Sequence, residues 1–330
     1  MSNSPQYVSD GILYPSGSVI MAPLSGYTDL PYRHSLRRHG CYYAFTEMID
    51  AGSLSHRNGQ TRDLLARGED EPWLGVQLVG VEPEWLAVSV EALNRYHFDV
   101  LDFNLGCPVP KIVKKGAGAA LGTNPDEAAR RLEILVRKSR FPVTAKTRIL
   151  DEQNPEPTVQ LVRKLEAAGA RTVTLHGRLR SAYYSGPVYS QIIAAVREAV
   201  KIPVIANGGV VDGNSAERLR QESGCDAIMI ARGAMGNPWL FQELLHPDTY
   251  RPPTPEELGA EIRLHIEEMI AFYGEERALR MARKILHDYL KGRGYPHAWK
   301  AEISYLDSRV KLSDLIRRIQ DGPNSGNHRE

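Results

Sequence analysis

Short apolar or β-branched runs bounded by turn residues recur between residues 19 and 230: Val19–Ala22, Tyr42–Thr46, Leu74–Leu78, Val100–Phe103, Val143–Thr147, Thr172–Leu175, Val204–Ala206 and Ala227–Ile230. Their length and residue types read as strands. Segments with helical spacing lie between them, among them Pro83–Tyr96, Asp126–Arg137, Val159–Ala168 and Tyr189–Val200. Strand-helix alternation implies a parallel sheet. Eight such units predict an α/β fold closed into a (β/α)8 TIM barrel, with an open doubly wound sheet as the competitor that strand count leaves standing.

The pattern changes after Arg251-Pro252-Pro253, and Thr254-Pro255-Glu256-Glu257 reads as a helix start. A small C-terminal helical domain is predicted, so that residues 1–250 form a barrel and 251–330 an appendix. On a wheel of about 100° per residue, Arg277, Arg280, Arg283, Lys284, His287 and Lys291 share an arc of about 120°. Ala278, Ala282, Ile285, Leu286, Tyr289 and Leu290 occupy the opposite side. Residues 277–300 hold seven Lys or Arg against one acidic residue, Asp288. Such a stripe is either a solvated amphipathic face or a track for phosphates. Tyr295, His297 and Trp299 could add stacking or pack beneath the helix.

Composition narrows the classes. The 330 residues suffice for one large domain and a small one, and no apolar stretch reaches membrane-spanning length. Met1–Gln6 lacks the basic start and apolar core of a secretory signal, and Asp321–Glu330 is polar and reads as a loose tail. Cys41, Cys107 and Cys225 are widely spaced without a C-x-x-C, which indicates neither a disulfide framework nor a zinc site. A cytoplasmic protein is expected, with no metal and no membrane partner, acting as a monomer. The net charge of +1 gives no global argument for a polyanionic partner, so patches must decide.

Candidate chemistry gathers where the strands end. Pro23 follows the first run, Glu47 the second and Asn104 the fourth; Gln77 is near the end of the third, and Lys146 and Arg148 sit at the fifth. His176 ends the sixth, Asn207-Gly208-Gly209 the seventh and Arg232-Gly233 the eighth. In a barrel these ends meet on one face, where such enzymes place their active sites. Cys107, between Gly106 and Pro108, is the candidate proton donor, since a thiol of ordinary pKa about 8.5 is protonated at neutral pH. The loop Lys114–Ala119 reads as mobile. Glycines 208, 209 and 233 with Arg232 suit a phosphate-bearing cofactor, and a fixed ammonium at Lys146 could stabilise charge on a reduced flavin.

Taken together, residues 18 to 242 resemble the bacterial tRNA-dihydrouridine synthases. The resemblance rests on Met21-Ala22-Pro23-Leu24-Ser25-Gly26-Tyr27-Thr28-Asp29 with Arg33, Thr46-Glu47-Met48, and Gln77-Leu78-Val79-Gly80. It continues through Asp102-Phe103-Asn104-Leu105-Gly106-Cys107-Pro108 with Lys111, Ala145-Lys146-Thr147-Arg148, Leu175-His176-Gly177-Arg178, Asn207-Gly208-Gly209, and Ala231-Arg232-Gly233 with Asn237–Phe241. It implies an FMN-dependent reduction of the uracil C5–C6 double bond in tRNA, with NADPH recharging the flavin. Hydride would reach C6 and Cys107 would protonate C5. The implied FMN contacts are Ala22, Pro23, Leu24, Gln77, Lys146, His176, Asn207, Gly208, Gly209, Ala231 and Arg232. Asn104 and Arg178 would hold the base, while Arg277, Arg280, Arg283, Lys284 and Lys291 would contact RNA. Ala231 stands where many members have glycine, and Ile149–Gln153 lacks the glycine often found after the family's Lys-x-Arg. The rival readings are an FMN-dependent dehydrogenase or reductase of a free pyrimidine, and an RNA-binding protein on a vestigial barrel.

Overall fold

A computed structural model describes residues 13–55 and 63–323. The expectations for Met1–Gln6 and for most of the tail lie outside the described residues. Eight strands run in chain order: β1 (Val19–Met21), β2 (Tyr43–Asp50), β3 (Gly75–Val79), β4 (Val100–Leu105), β5 (Val143–Arg148), β6 (Val173–His176), β7 (Val204–Asn207) and β8 (Ile228–Ile230). Every neighbouring pair is parallel, and β8 returns to β1 through Val19 opposite Ile228 and Met21 opposite Ile230. That last pairing closes the barrel and removes the doubly wound alternative.

Several strands run past the apolar runs that mark them in the sequence. Asn104, Arg148, His176 and Asn207 lie inside β4, β5, β6 and β7 rather than after them, and Glu47 lies within β2. The ladder continues because backbone pairing does not depend on side-chain polarity, whereas a hydropathy reading stops where the apolar run gives out. β2 is irregular between Phe45 and Met48, where the register against β3 shifts. Helices Pro83–Leu93, Pro125–Lys138, Glu156–Ala167 and Ser190–Ala199 alternate with the strands.

The chain groups into two compact units, one comprising the chain up to Asp29 with Tyr42–Ala231, the other Leu30–Cys41 with Arg232 onward. In the first, Tyr14, Tyr43, Phe45 and Trp73 form an aromatic cluster with Val100. These residues precede or begin their strands, so the cluster fills the N-terminal end of the barrel and polar side chains are left to the other end.

The second unit is helical: Leu30–Arg38, Leu240–Leu245, Pro255–Tyr273, Glu275–Leu290, Trp299–Ser304 and Arg309–Gln320. Thr254 caps the long helix reciprocally with Glu257, as its sequence predicts. Buried Glu261 accepts from Ser35, Arg38 and His39, which ties Leu30–Cys41 into this unit. Among the described residues no helix is long and apolar enough to cross a membrane.

Candidate active site

Side chains converge at the C-terminal ends of the barrel strands because neighbouring registers place them side by side. Gln77 pairs with Asp102, Asn104 with Lys146, Arg148 with His176, and His176 with Asn207. Lys146 is half-buried and donates from Nζ to Asn207 Oδ1 at 2.8 Å, while Asn207 Nδ2 donates to the Met229 carbonyl at 2.7 Å. Burial, with the neighbouring Arg148 charge, brings the Lys146 ammonium down to about 7. Its bonded partner is a neutral carboxamide, so an incoming anion would restore its affinity for a proton.

Cys107 sits in the turn after β4. Its N–H and that of Gly106 both donate to Asn104 Oδ1, at 2.9 and 3.1 Å. The Cys107 carbonyl accepts from Ala119 N at 3.0 Å. The Lys114–Ala119 segment is therefore not loose: it lies between two short helical turns, Pro110–Val113 and Ala119–Gly122, and its end is bonded to the cysteine. Gly118 makes the approach possible, with φ at +58° and an added Cβ only 2.8 Å from the Cys107 carbonyl oxygen. Burial raises the thiol pKa, against the pull of the Val109 N–H and the charges of Arg148 and Lys146. The thiol therefore holds its proton at neutral pH. Cys41 and Cys225 are buried.

A chain of buried amides fixes this turn, and part of it is invisible to motif reading. Asp102 accepts from Thr144 Oγ1 and from Gln77 Nε2, both at 2.7 Å. Gln77 must then turn its oxygen outward, where it accepts from Asn104 Nδ2 at 2.7 Å. Asn104 in turn presents its oxygen to the Gly106 and Cys107 N–H groups. Burial lifts the Asp102 carboxyl to about 6, against the hydrogen bonds from Gln77 and Thr144. Asp102 and Thr144 carry no role in the sequence reading, although an acidic residue inside the apolar run Val100–Phe103 is the signal that could have found one. The Asn104 amide donates to Met48 Sδ as well, so its side chain is committed to the turn.

Arg178 is buried, donating from Nε to the Gly186 carbonyl at 3.0 Å, with Nη1 3.4 Å from His176 Nε2. A guanidinium only donates, so His176 Nε2 is the acceptor and Nδ1 carries the proton. Arg148 donates to the carbonyls of Gly106 and Tyr183, both at 2.7 Å. After β1, Leu24 N donates to Thr28 Oγ1 at 3.0 Å and Gly26 N to Glu47 Oε2 at 2.6 Å. Ala22 is buried and bonded to the Ile230 carbonyl, with Pro23 and Leu24 half-buried beyond it.

A flavin suits what the first unit offers. Gly208 has φ at +132°, and a Cβ there would come 3.0 Å from His176 Cδ2 and 3.1 Å from Val188 Cγ2, so the missing side chain keeps a cradle open. The neighbouring Lys146 can take a proton to meet an anionic ring. Ala231 closes this unit; Arg232 belongs to the second, where it is exposed and opens the turn Arg232–Ala234.

The dihydrouridine synthase (Dus) family model matches residues 20–321. The chain belongs to the dihydrouridine synthase family. It is 36% identical over 273 residues to a probable tRNA-dihydrouridine synthase of Rhizobium leguminosarum bv. phaseoli, covering 83% of this chain and 85% of that one. To the tRNA-dihydrouridine synthase B of Pseudomonas aeruginosa it is 33% identical over 315 residues, 93% and 94% of the two chains. A solved histamine dehydrogenase from Rhizobium sp. 4-9 matches with a TM-score of 0.53 at 12% identity, over 76% of this chain and 48% of that one, a likeness of fold alone. Family membership makes this chain an oxidoreductase.

In the second unit the basic helix is Glu275–Leu290, with Lys291 just beyond it. Arg277 lies over the Tyr273 ring, and Arg280 pairs with Glu276. Lys284 and Lys291 are exposed. Arg283 is different: Nε and Nη2 donate to the Leu306 carbonyl at 3.0 and 2.8 Å, so it braces the link between Trp299–Ser304 and Arg309–Gln320. Tyr295 and Trp299 pack inward, Tyr295 donating to the Ile319 carbonyl and Trp299 lying under Arg318, which leaves His297 exposed.

Proposed function

We propose that this chain reduces the C5–C6 double bond of particular uridines in tRNA, as a cytoplasmic monomer using FMN and NADPH. The observation that carries the reading is the placement of Cys107, its N–H held by Asn104, whose strand neighbour is Lys146, at the C-terminal ends of the barrel strands. The names of the relatives supply the substrate.

Ala22, Pro23, Leu24, Gln77, Lys146, His176, Asn207, Gly208, Gly209 and Ala231 are the first unit's candidates to hold FMN. When bound, FMN recharged by NADPH supplies the hydride. Lys146 offers its ammonium to negative charge on the ring system. Cys107 keeps a proton on Sγ and delivers it to C5, and its raised pKa suits the acid rather than the nucleophile. The target base leaves the RNA stack to reach this site. Arg277, Arg280, Lys284 and Lys291 offer a sequence-independent contact for RNA phosphates.

The deciding experiment is nucleoside mass spectrometry, with positional mapping, on dihydrouridine-free tRNA incubated with the protein, FMN and NADPH. A two-hydrogen gain at particular uridines is expected; no gain from a preparation holding reducible flavin would point to a free pyrimidine. Cys107→Ala should still bind FMN and oxidise NADPH, yet lose dihydrouridine formation by about a hundredfold or more.

A further inference from the structure

A cleft of about 650 Å3 lies in the first unit beside the cysteine turn. Its apolar lining includes Leu105 and Val113, Ile149 and Leu150, and Leu179. That volume is in the range of about 300–1,000 Å3 typical of small-ligand sites. The reaction described above uses none of these five side chains.

We propose that the cleft holds a nucleotide of the RNA adjoining the target uridine, its base against the apolar lining and the Tyr183 ring and its phosphate on Lys114 and Arg180. This rests on the tRNA reading. Four observations support it. First, the cleft borders the cysteine turn: Pro108, next to Cys107, lines it, and so does Arg148, which donates to the Gly106 carbonyl. Second, the lining carries the cations Lys114, Arg148 and Arg180, and among the described residues that line it none is acidic. Third, Arg148 is spent on backbone carbonyls, but Lys114 and Arg180 are exposed and neither has an ion pair among the described residues. They are therefore available to a phosphate. Fourth, Tyr183 lines the cleft and is 45% exposed although its backbone is strained.

That strain is specific. Among the described residues, Tyr183 is the non-glycine with positive φ, at +48°, and its carbonyl is pinned by Arg148. A bulky residue rarely adopts this conformation without a compensating role. Tyr183 thus shares the cleft lining with Lys114 and Arg180, an aromatic and two cations, the combination that single-stranded RNA sites use for base and backbone.

The test uses full-length, FMN-loaded protein with dihydrouridine-free tRNA, comparing wild type with Lys114→Ala/Arg180→Ala and with Tyr183→Ala. The double variant should raise the KM for tRNA about tenfold or more, and flatten the log–log salt dependence of tRNA binding by about 1 per cation removed. Tyr183→Ala should raise that KM about tenfold through lost stacking. NADPH-driven flavin reduction, measured without tRNA, should match wild type in both variants. A higher KM for NADPH with tRNA unaffected would assign the cleft to the dinucleotide and overturn the proposal. Unchanged constants in both arms would overturn it too. If wild type itself forms no dihydrouridine, the reaction reading fails before any variant is compared.

Discussion

Asn104 shows how much a single carboxamide can be asked to do. Its residue type suggests a hydrogen-bonding partner for a base, yet its oxygen takes two backbone N–H groups and its nitrogen faces Gln77 and Met48. The polarity of this arrangement originates at Asp102, an acceptor toward both Gln77 and Thr144. Asn at position 102 can keep an oxygen toward Gln77 while Thr144 rotates to accept, so Asp102→Asn should alkylate at Cys107 and turn over within a few-fold of wild type. Asp102→Leu frees Gln77 to flip and should slow turnover about ten- to a hundredfold, the scale of a misplaced reacting group. The pH profile of Cys107 alkylation, followed by mass spectrometry, separates the cases; identical behaviour of the Asn and Leu variants would remove Asp102 from the positioning role. Cys107 itself was legible from Gly-Cys-Pro after an apolar strand. Asp102 was not, because its importance lies in partners on two other strands.

At the scale of elements, the helix Glu275–Leu290 was legible from its period of apolar positions, and its basic face followed from the same wheel. What the wheel does not show is that one member of that face points into the protein. Arg283 meets a carbonyl 23 residues later in the chain, which no helical periodicity encodes. Arg283→Ala should therefore lower the melting temperature, by losing about 1–3 kcal/mol of charge-assisted hydrogen bonding. Arg280→Ala with Lys284→Ala should leave the melting temperature within about 2 °C, since exposed pairs contribute little, while weakening tRNA binding more at low salt than at high. Equal melting losses in the two cases would show that Arg283 is only another surface charge. Strand ends behave similarly: the ladder carries β5 past Thr147 to Arg148, where a hydropathy reading has no reason to continue.

At the scale of the whole molecule, the two units carry buried groups that respond oppositely to acid. In the second, burial holds the His265 imidazole neutral with a pKa of about 4, and hydrogen bonds from His39, Arg38 and Ser35 outweigh burial to bring Glu261 to about 2. The unfolded chain binds more protons in both cases. Stability from His265 is present above about pH 6.5 and lost toward pH 4; that from Glu261 is lost from about pH 4.5 downward. In the first unit Asp102 works the other way, since its raised pKa of about 6 makes the fold gain as pH falls from 6 toward 4. Thermal scans between pH 7 and 5, with limited proteolysis mapped by mass spectrometry, should show the second unit opening first. His265→Gln should flatten that pH slope, by up to about 2 kcal/mol over the window. Parallel losses in both units would contradict this assignment.

The sequence by itself determined the strand-helix alternation, the cysteine turn, the family motifs and the basic helix. These are local facts, carried by periodicity, turn residues and spacing along one stretch of chain. Only the tertiary structure decided that β8 returns to β1, that Leu30–Cys41 joins the C-terminal helices, that Asp102 orients Asn104 through Gln77, and that a cation-lined cleft adjoins Cys107. Closure, buried hydrogen bonding and cavities all depend on residues far apart in the chain meeting at fixed distances, and that information exists only once the chain has packed.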